Sequence, residues 1–129
     1  MPSLDPHQTL LRRQWAEEAQ ALEHRRQQLL AGALEAASTL RAQWPTTEAV
    51  WMFGSAAAQH ALRRHSDLDL AVAGLPAEAH LSALAVVERV LDRAMAAASQ
   101  DPVAIDLVRL EDLDPHWQER IRQRALPLT

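Results

Sequence analysis

The chain has 129 residues, with 17 acidic side chains against 13 Lys and Arg, so it can bury one modest core and has no global basic surface of the kind that marks nucleic-acid binders. It has no Cys, which excludes a disulfide framework and any Cys-containing zinc site. No apolar run approaches the length that crosses a bilayer, and the opening Met1-Pro2-Ser3-Leu4-Asp5 is not a signal-peptide start, so a cytoplasmic protein is expected.

Residues 6 to 43 read as one long helix or two stacked ones. Leu11, Trp15, Ala19, Leu22, Leu29, Ala33, Ala37 and Leu40 recur at i, i+3 and i+4, with Arg12, Arg13, Glu17, Glu18, Arg25 and Gln28 opposite. Trp44-Pro45 ends the run, because the residue before Pro disfavours the helical region. A single helix of this kind would reach roughly 50 Å at about 1.5 Å per residue. That outruns a small domain, so its first half is expected to project or fold back, and residues 8 to 24 read as an interface. Residues 1 to 44 thus form an N-terminal helical segment and 45 to 129 a small folded domain.

Ala49 to Phe53 is a short apolar run ended by Gly54, hence a core strand entering a turn. The Ala-rich Ser55 to Leu62 is expected to be a short helix, and Arg63 to Ser66 a loop. Asp67-Leu68-Asp69-Leu70-Ala71-Val72 alternates and reads as a half-buried strand. Pro76 to Ser99 has helical periodicity, with Leu81, Leu84, Val87, Leu91, Ala94 and Met95 toward the core. Val103 to Val108 is a third strand. Asp114 and Pro115 are the N-cap and first residue expected of a final helix to about Arg124. The order implies an α/β (α+β) fold: a small mixed sheet with helices packed on it. Trp51 and Trp117 are expected in the core. His60, His65, His80 and His116 lack zinc-site spacing and read as surface residues.

Side chains at i and i+2 share one strand face, so Asp67 and Asp69 point the same way while Leu68, Leu70 and Val72 face a core. Two such carboxylates repel unless a cation lies between them, and the natural one is a hard divalent metal. Asp106 is the one charged residue inside the third apolar strand, where an unpaired charge is costly. It is the candidate third carboxylate; an ion pair with Arg109 or a solvent-facing position is the alternative. A glycine turn at Gly54-Ser55 leaves backbone N–H groups free for a phosphate. Together these features point to metal-assisted nucleotide chemistry.

Gly-Ser, a spacer, then Asp-x-Asp on the following strand resembles the nucleotidyltransferase superfamily related to DNA polymerase β. More narrowly the chain resembles the minimal nucleotidyltransferases (MNT), often encoded beside a HEPN partner as a toxin–antitoxin pair. The resemblance runs from about residue 43 onward. Ile121, Pro127 and Leu128 also match the usual Ile-Leu-Arg-Glu-Gly-Val-Pro-Leu-Tyr ending. It implies a nucleotidyltransferase fold, ATP as substrate and a two-metal Mg²⁺ site. Asp67, Asp69 and Asp106 would be the catalytic carboxylates and metal ligands, and Gly54 and Ser55 would hold the phosphates. The spacer is eleven residues, one more than is common. The usual continuation of Gly-Ser, x-Ala-Arg-Gly, is replaced by Ala56-Ala57-Ala58-Gln59. Arg63 or Arg64 is the candidate substitute for the missing Arg.

The implied function is an antitoxin that transfers AMP, or another NMP, to a tyrosine of a HEPN ribonuclease toxin. This chain has no Tyr, so it cannot be its own tyrosine substrate. The alternative is a weak or inactive member that neutralises the toxin by contact alone. Antibiotic- or tRNA-directed transfer fits less well, since the chain is short and has no basic stripe. The N-terminal helix would carry a homo-oligomeric or hetero-oligomeric contact.

Overall fold

The structure is a computed structural model and describes residues 5–58 and 60–129. One unbroken helix, α1, spans Pro6–Gln43. Asp5 caps it: its side chain accepts from the Gln8 backbone N–H, and the Gln8 side chain accepts from that of Asp5, a reciprocal capping box. Pro6 stands where its missing N–H costs nothing.

The two halves of α1 differ. Beyond residue 24 it buries Leu29, Ala33, Ala36, Ala37 and Leu40 in the main core. Gly32 lets the second helix approach, since a Cβ there would stand 2.6 Å from Leu91 Cδ1. Before residue 22 every side chain is exposed except that of Leu11, which is half-buried. Trp15 is 61% exposed. Arg25, expected on the solvent face, is instead buried and donates to the carbonyls of Asp101 and Pro102, which fastens α1 to the turn before the last long strand.

The strands are β1 (Ala49–Phe53), β2 (Leu68–Ala73), β3 (Ile105–Arg109) and the two-residue β4 (Leu126–Pro127). They form one sheet in the order β3-β2-β1-β4. β1 is antiparallel to β2 and β4, and β2 is parallel to β3. The mixed sheet is as expected; β4 is too short to show in the sequence. The second helix, α2 (His80–Ala97), follows a 3₁₀ turn and crosses between β2 and β3. The last helix, α3 (Pro115–Arg124), has the expected Asp114 cap, whose side chain accepts from Trp117 N–H.

Further expectations fail. Ser55 to Leu62 is not a helix: a 3₁₀ turn covers Ser55–Ala57 and Ala58 is already extended. Ala favours helix, but so short a segment cannot repay helix nucleation without packing; Gln59 within it lies outside the described residues. Leu81 is 77% exposed, because α2 turns Ala83, Val86, Val87, Leu91 and Met95 inward instead. His80 is half-buried rather than on the surface, with Nε2 placed 2.6 Å from the Leu107 carbonyl.

The sheet has two apolar faces. Val50, Met52, Leu68, Leu70, Val72 and Leu107 meet α1 and α2 in the larger cluster. Trp51, Ala71 and Ala73 meet Ile121 of α3 and Leu110 in the smaller one. None of the described helices is long and apolar enough to cross a membrane.

Candidate active site

The site lies on the smaller face, at the end of β1 and the start of β2. β1 leaves the sheet at Gly54, whose φ of +73° and ψ of −157° suit Gly and few other residues. A side chain there would collide with the Asp69 carboxylate. The bare backbone of the turn therefore rests against Asp69. Antiparallel pairing sets Phe53 opposite Asp69, and parallel pairing sets Asp69 beside Asp106. Neighbouring residues in register share a sheet face, so Asp69 and Asp106 project together. Asp67 lies two residues before Asp69, just ahead of β2.

Asp69 is half-buried; Asp67 and Asp106 are exposed. The Asp69 carboxyl is pushed above its ordinary value, first by burial, then by the negative charge of Asp106 and then by that of Asp67. None of the three has an ion-pair partner among the described residues. Arg109 in particular serves Asp112, Glu111 and the Leu75 carbonyl, not Asp106. Nor are any three His, Asp or Glu side chains among the described residues gathered closely enough to hold a metal ion as they stand. The donor chemistry nonetheless suits a divalent cation: three hard oxygen donors that repel one another and lack a compensating cation.

A cavity of about 630 Å³ opens beside this cluster. Phe53, Gly54, Ala57, Ala58 and Asp69 line one side; Trp117, Arg120, Ile121, Arg124 and Ala125 line the other. Its basic residues come from α3, and sequence reasoning missed them. The signal was present: 117, 120, 121 and 124 fall on one helix face. It was hidden by reading Trp117 as core. Trp117 is in fact 48% exposed, because Ile121 takes the buried position on α3. Arg63 and Arg64 do not line this cavity. Arg63 lies with Ala19, Leu22 and Glu23 of α1. Arg64 shares a separate cavity with Arg25, Asp101 and Asp67. Ser55 follows Gly54 as the first residue of the 3₁₀ turn. His60, His65 and His116 are exposed, as expected.

No protein-family model and no curated protein matches the sequence. Solved structures do. A chain of a toxin–antitoxin crystallised with AMP-PNP superposes with a TM-score of 0.50 at 21% identity, covering 78% of this chain and 72% of that one. A chain of a toxin–antitoxin MntA-HpeT mutant gives 0.47 at 21% identity, covering 71% and 67%. One of the toxin–antitoxin MntA-HepT gives 0.45 at 18%, covering 80% and 71%. The first of these likenesses establishes a common architecture, and the chain has the nucleotidyltransferase fold.

Proposed function

We propose that this chain is a minimal nucleotidyltransferase of the antitoxin type, moving AMP or another NMP from a nucleoside triphosphate onto a hydroxyl group, that of a tyrosine on a HEPN-type ribonuclease toxin. One observation carries the reading: the Gly54 turn, Asp69 and Asp106 meet at one open sheet end, with a cavity beside them. The same fold in a toxin–antitoxin crystallised with AMP-PNP supports it.

In this reading the acceptor oxygen forms a bond to the α-phosphorus, and the bond from that phosphorus to the bridging oxygen of pyrophosphate breaks. The hydroxyl proton passes to Asp106, which stands exposed beside Asp69. Backbone N–H groups at Gly54 and Ser55 hold the leaving phosphates, with the Ser55 hydroxyl as a further donor. Mg²⁺ ions, when bound by Asp67, Asp69 and Asp106, would neutralise charge on the attacking and leaving oxygens. The toxin would meet the first half of α1, where Leu10 and Trp15 are 50% and 61% exposed. Such a role sets the protein in the cytoplasm.

The test is transfer of label from α-labelled ATP, with Mg²⁺, to a HEPN-type toxin. Label should appear on the toxin and vanish with Asp67→Asn plus Asp69→Asn at unchanged secondary structure. Toxin that is bound and silenced without acquiring label would leave neutralisation by contact alone.

A further inference from the structure

Resting on that reading, we infer that α3 supplies the cationic half of the nucleotide site: Arg120 and Arg124 hold the triphosphate over the Gly54 turn, with Trp117 as a positioning residue for Arg120. The turn side of the cavity brings only Phe53, Gly54, Ala57, Ala58 and the anionic Asp69. It contains no cation, so a tetraanionic ligand there needs its counter-charge from elsewhere. The opposite wall carries two guanidinium groups four residues apart on one helix face. Like charges at this spacing are mildly destabilising unless an anion joins them. Neither has an ion pair among the described residues, although Glu119 is adjacent in sequence. Glu119 instead accepts from the Gln123 side chain.

The arm is well placed and firmly held. β4 pairs with β1 through Trp51↔Pro127 and Met52↔Leu126. β4 begins two residues after the end of α3, so this pairing ties the C-terminal end of that helix to β1, and Gly54 and Arg124 line the same cavity. Ile121 is buried against Trp51 and Ala71 on the same sheet face. The Asp114 cap secures the other end of α3. The Arg120 guanidinium carbon lies 5.3 Å from the centre of the Trp117 ring, within cation–π range, so its direction is set before a ligand arrives. Arginine suits the task because its fork meets phosphate oxygens in pairs.

The experiment titrates magnesium AMP-PNP, and separately adenosine, against the full chain by calorimetry. Losing one charge-assisted contact should weaken AMP-PNP binding about tenfold for Arg120→Ala or Arg124→Ala, and about a hundredfold for the pair. Adenosine binding should change little. Arg63→Ala plus Arg64→Ala should stay within about twofold of the parent. AMP-PNP should change the tryptophan fluorescence of the parent, Trp117→Phe should remove most of that change, and its smaller loss of affinity should be confined to triphosphate. If the alanine pair melts early, Arg120→Gln plus Arg124→Gln keeps the aliphatic stems and reads the same effect. A pair variant that binds AMP-PNP as the parent does overturns the inference and leaves the carboxylate site standing. A parent chain that binds no nucleoside triphosphate overturns the functional reading and this inference with it. Weakened binding of the toxin with unchanged binding of AMP-PNP would assign the two arginines to the partner instead, and would also overturn it.

Discussion

The two faces of the sheet are built to different ends. On the α1–α2 face, Met52, Leu68, Leu70 and Val72 are fully enclosed, and small residues such as Gly32 and Ala33 bring the helices close. On the α3 face a ten-residue helix covers only part of the sheet. Trp51, Ala71 and Ala73 are sealed by Ile121 and Leu110, but the end bearing Asp69 stays open. One face supplies the stability; the other leaves room for ligand and tolerates carboxylates that oppose folding. Asp69 belongs to the strand most deeply embedded in both clusters, so the closed face fixes the position of the open one.

Breaking the closed face should cost most. Leu70→Ala removes a fully buried side chain between the sheet and its helices and should destabilise by about 2–5 kcal/mol, read from chemical denaturation. Gly54→Ala, at the open face, should cost about 1–3 kcal/mol for its positive φ with extended ψ alone. It should also move Asp69 and lower nucleotide affinity, an effect absent from Leu70→Ala when both are assayed at temperatures where they remain folded.

A smaller effect of opposite sign is expected at Asp69. Its folded-state carboxyl is raised above the ordinary value by burial, Asp106 and Asp67. The folded state therefore holds its proton more tightly than the unfolded one. Stability should fall as pH rises from the ordinary aspartate range through the raised folded value, and stay reduced above it. Asp69→Asn should flatten that part of the pH profile and raise the melting temperature at neutral pH without divalent metal. Mg²⁺ should raise the melting temperature of the parent and leave the variant unmoved. A parent profile that climbs over the same interval would contradict the repulsion. The smallest effect on the isolated chain belongs to Trp15→Ala. Its side chain is largely in solvent, so unfolding stability should shift by no more than about 0.5 kcal/mol. Light scattering should show weakened self-association or toxin binding; unchanged assembly in both would place the interface elsewhere.

Much of this division is legible in the sequence because it rests on local rules. β1 is bounded by Gly54, β2 alternates around Asp67 and Asp69, and α3 has Asp114 and Pro115 at its start; each reads from a few adjacent residues. What was hidden depends on contacts between distant segments. Helical spacing alone cannot decide between Leu81 and Ala83 on α2, because the choice follows from where β3 and α1 lie. Arg25 looks solvent-facing until the carbonyls of Asp101 and Pro102 arrive to accept from it. Arg120 and Arg124 join the site only because β4, a two-residue strand, draws the end of α3 to Gly54. The candidate carboxylates are legible because they lie on strands or next to one; the arginines are not, because Gly54, across the cavity from them, is 66 to 70 residues away in sequence.

The most direct measurement is a crystal structure of the chain grown with Mg²⁺ and AMP-PNP, with Mn²⁺ exchanged in to locate the metal by anomalous scattering. The account predicts metal between Asp67, Asp69 and Asp106 at oxygen distances of about 2.1 Å for Mg²⁺, and a triphosphate lying between the Gly54 turn and α3. A structure in which Asp106 points away from a metal-free Asp67–Asp69 pair, or in which the triphosphate lies elsewhere on the molecule, would contradict it.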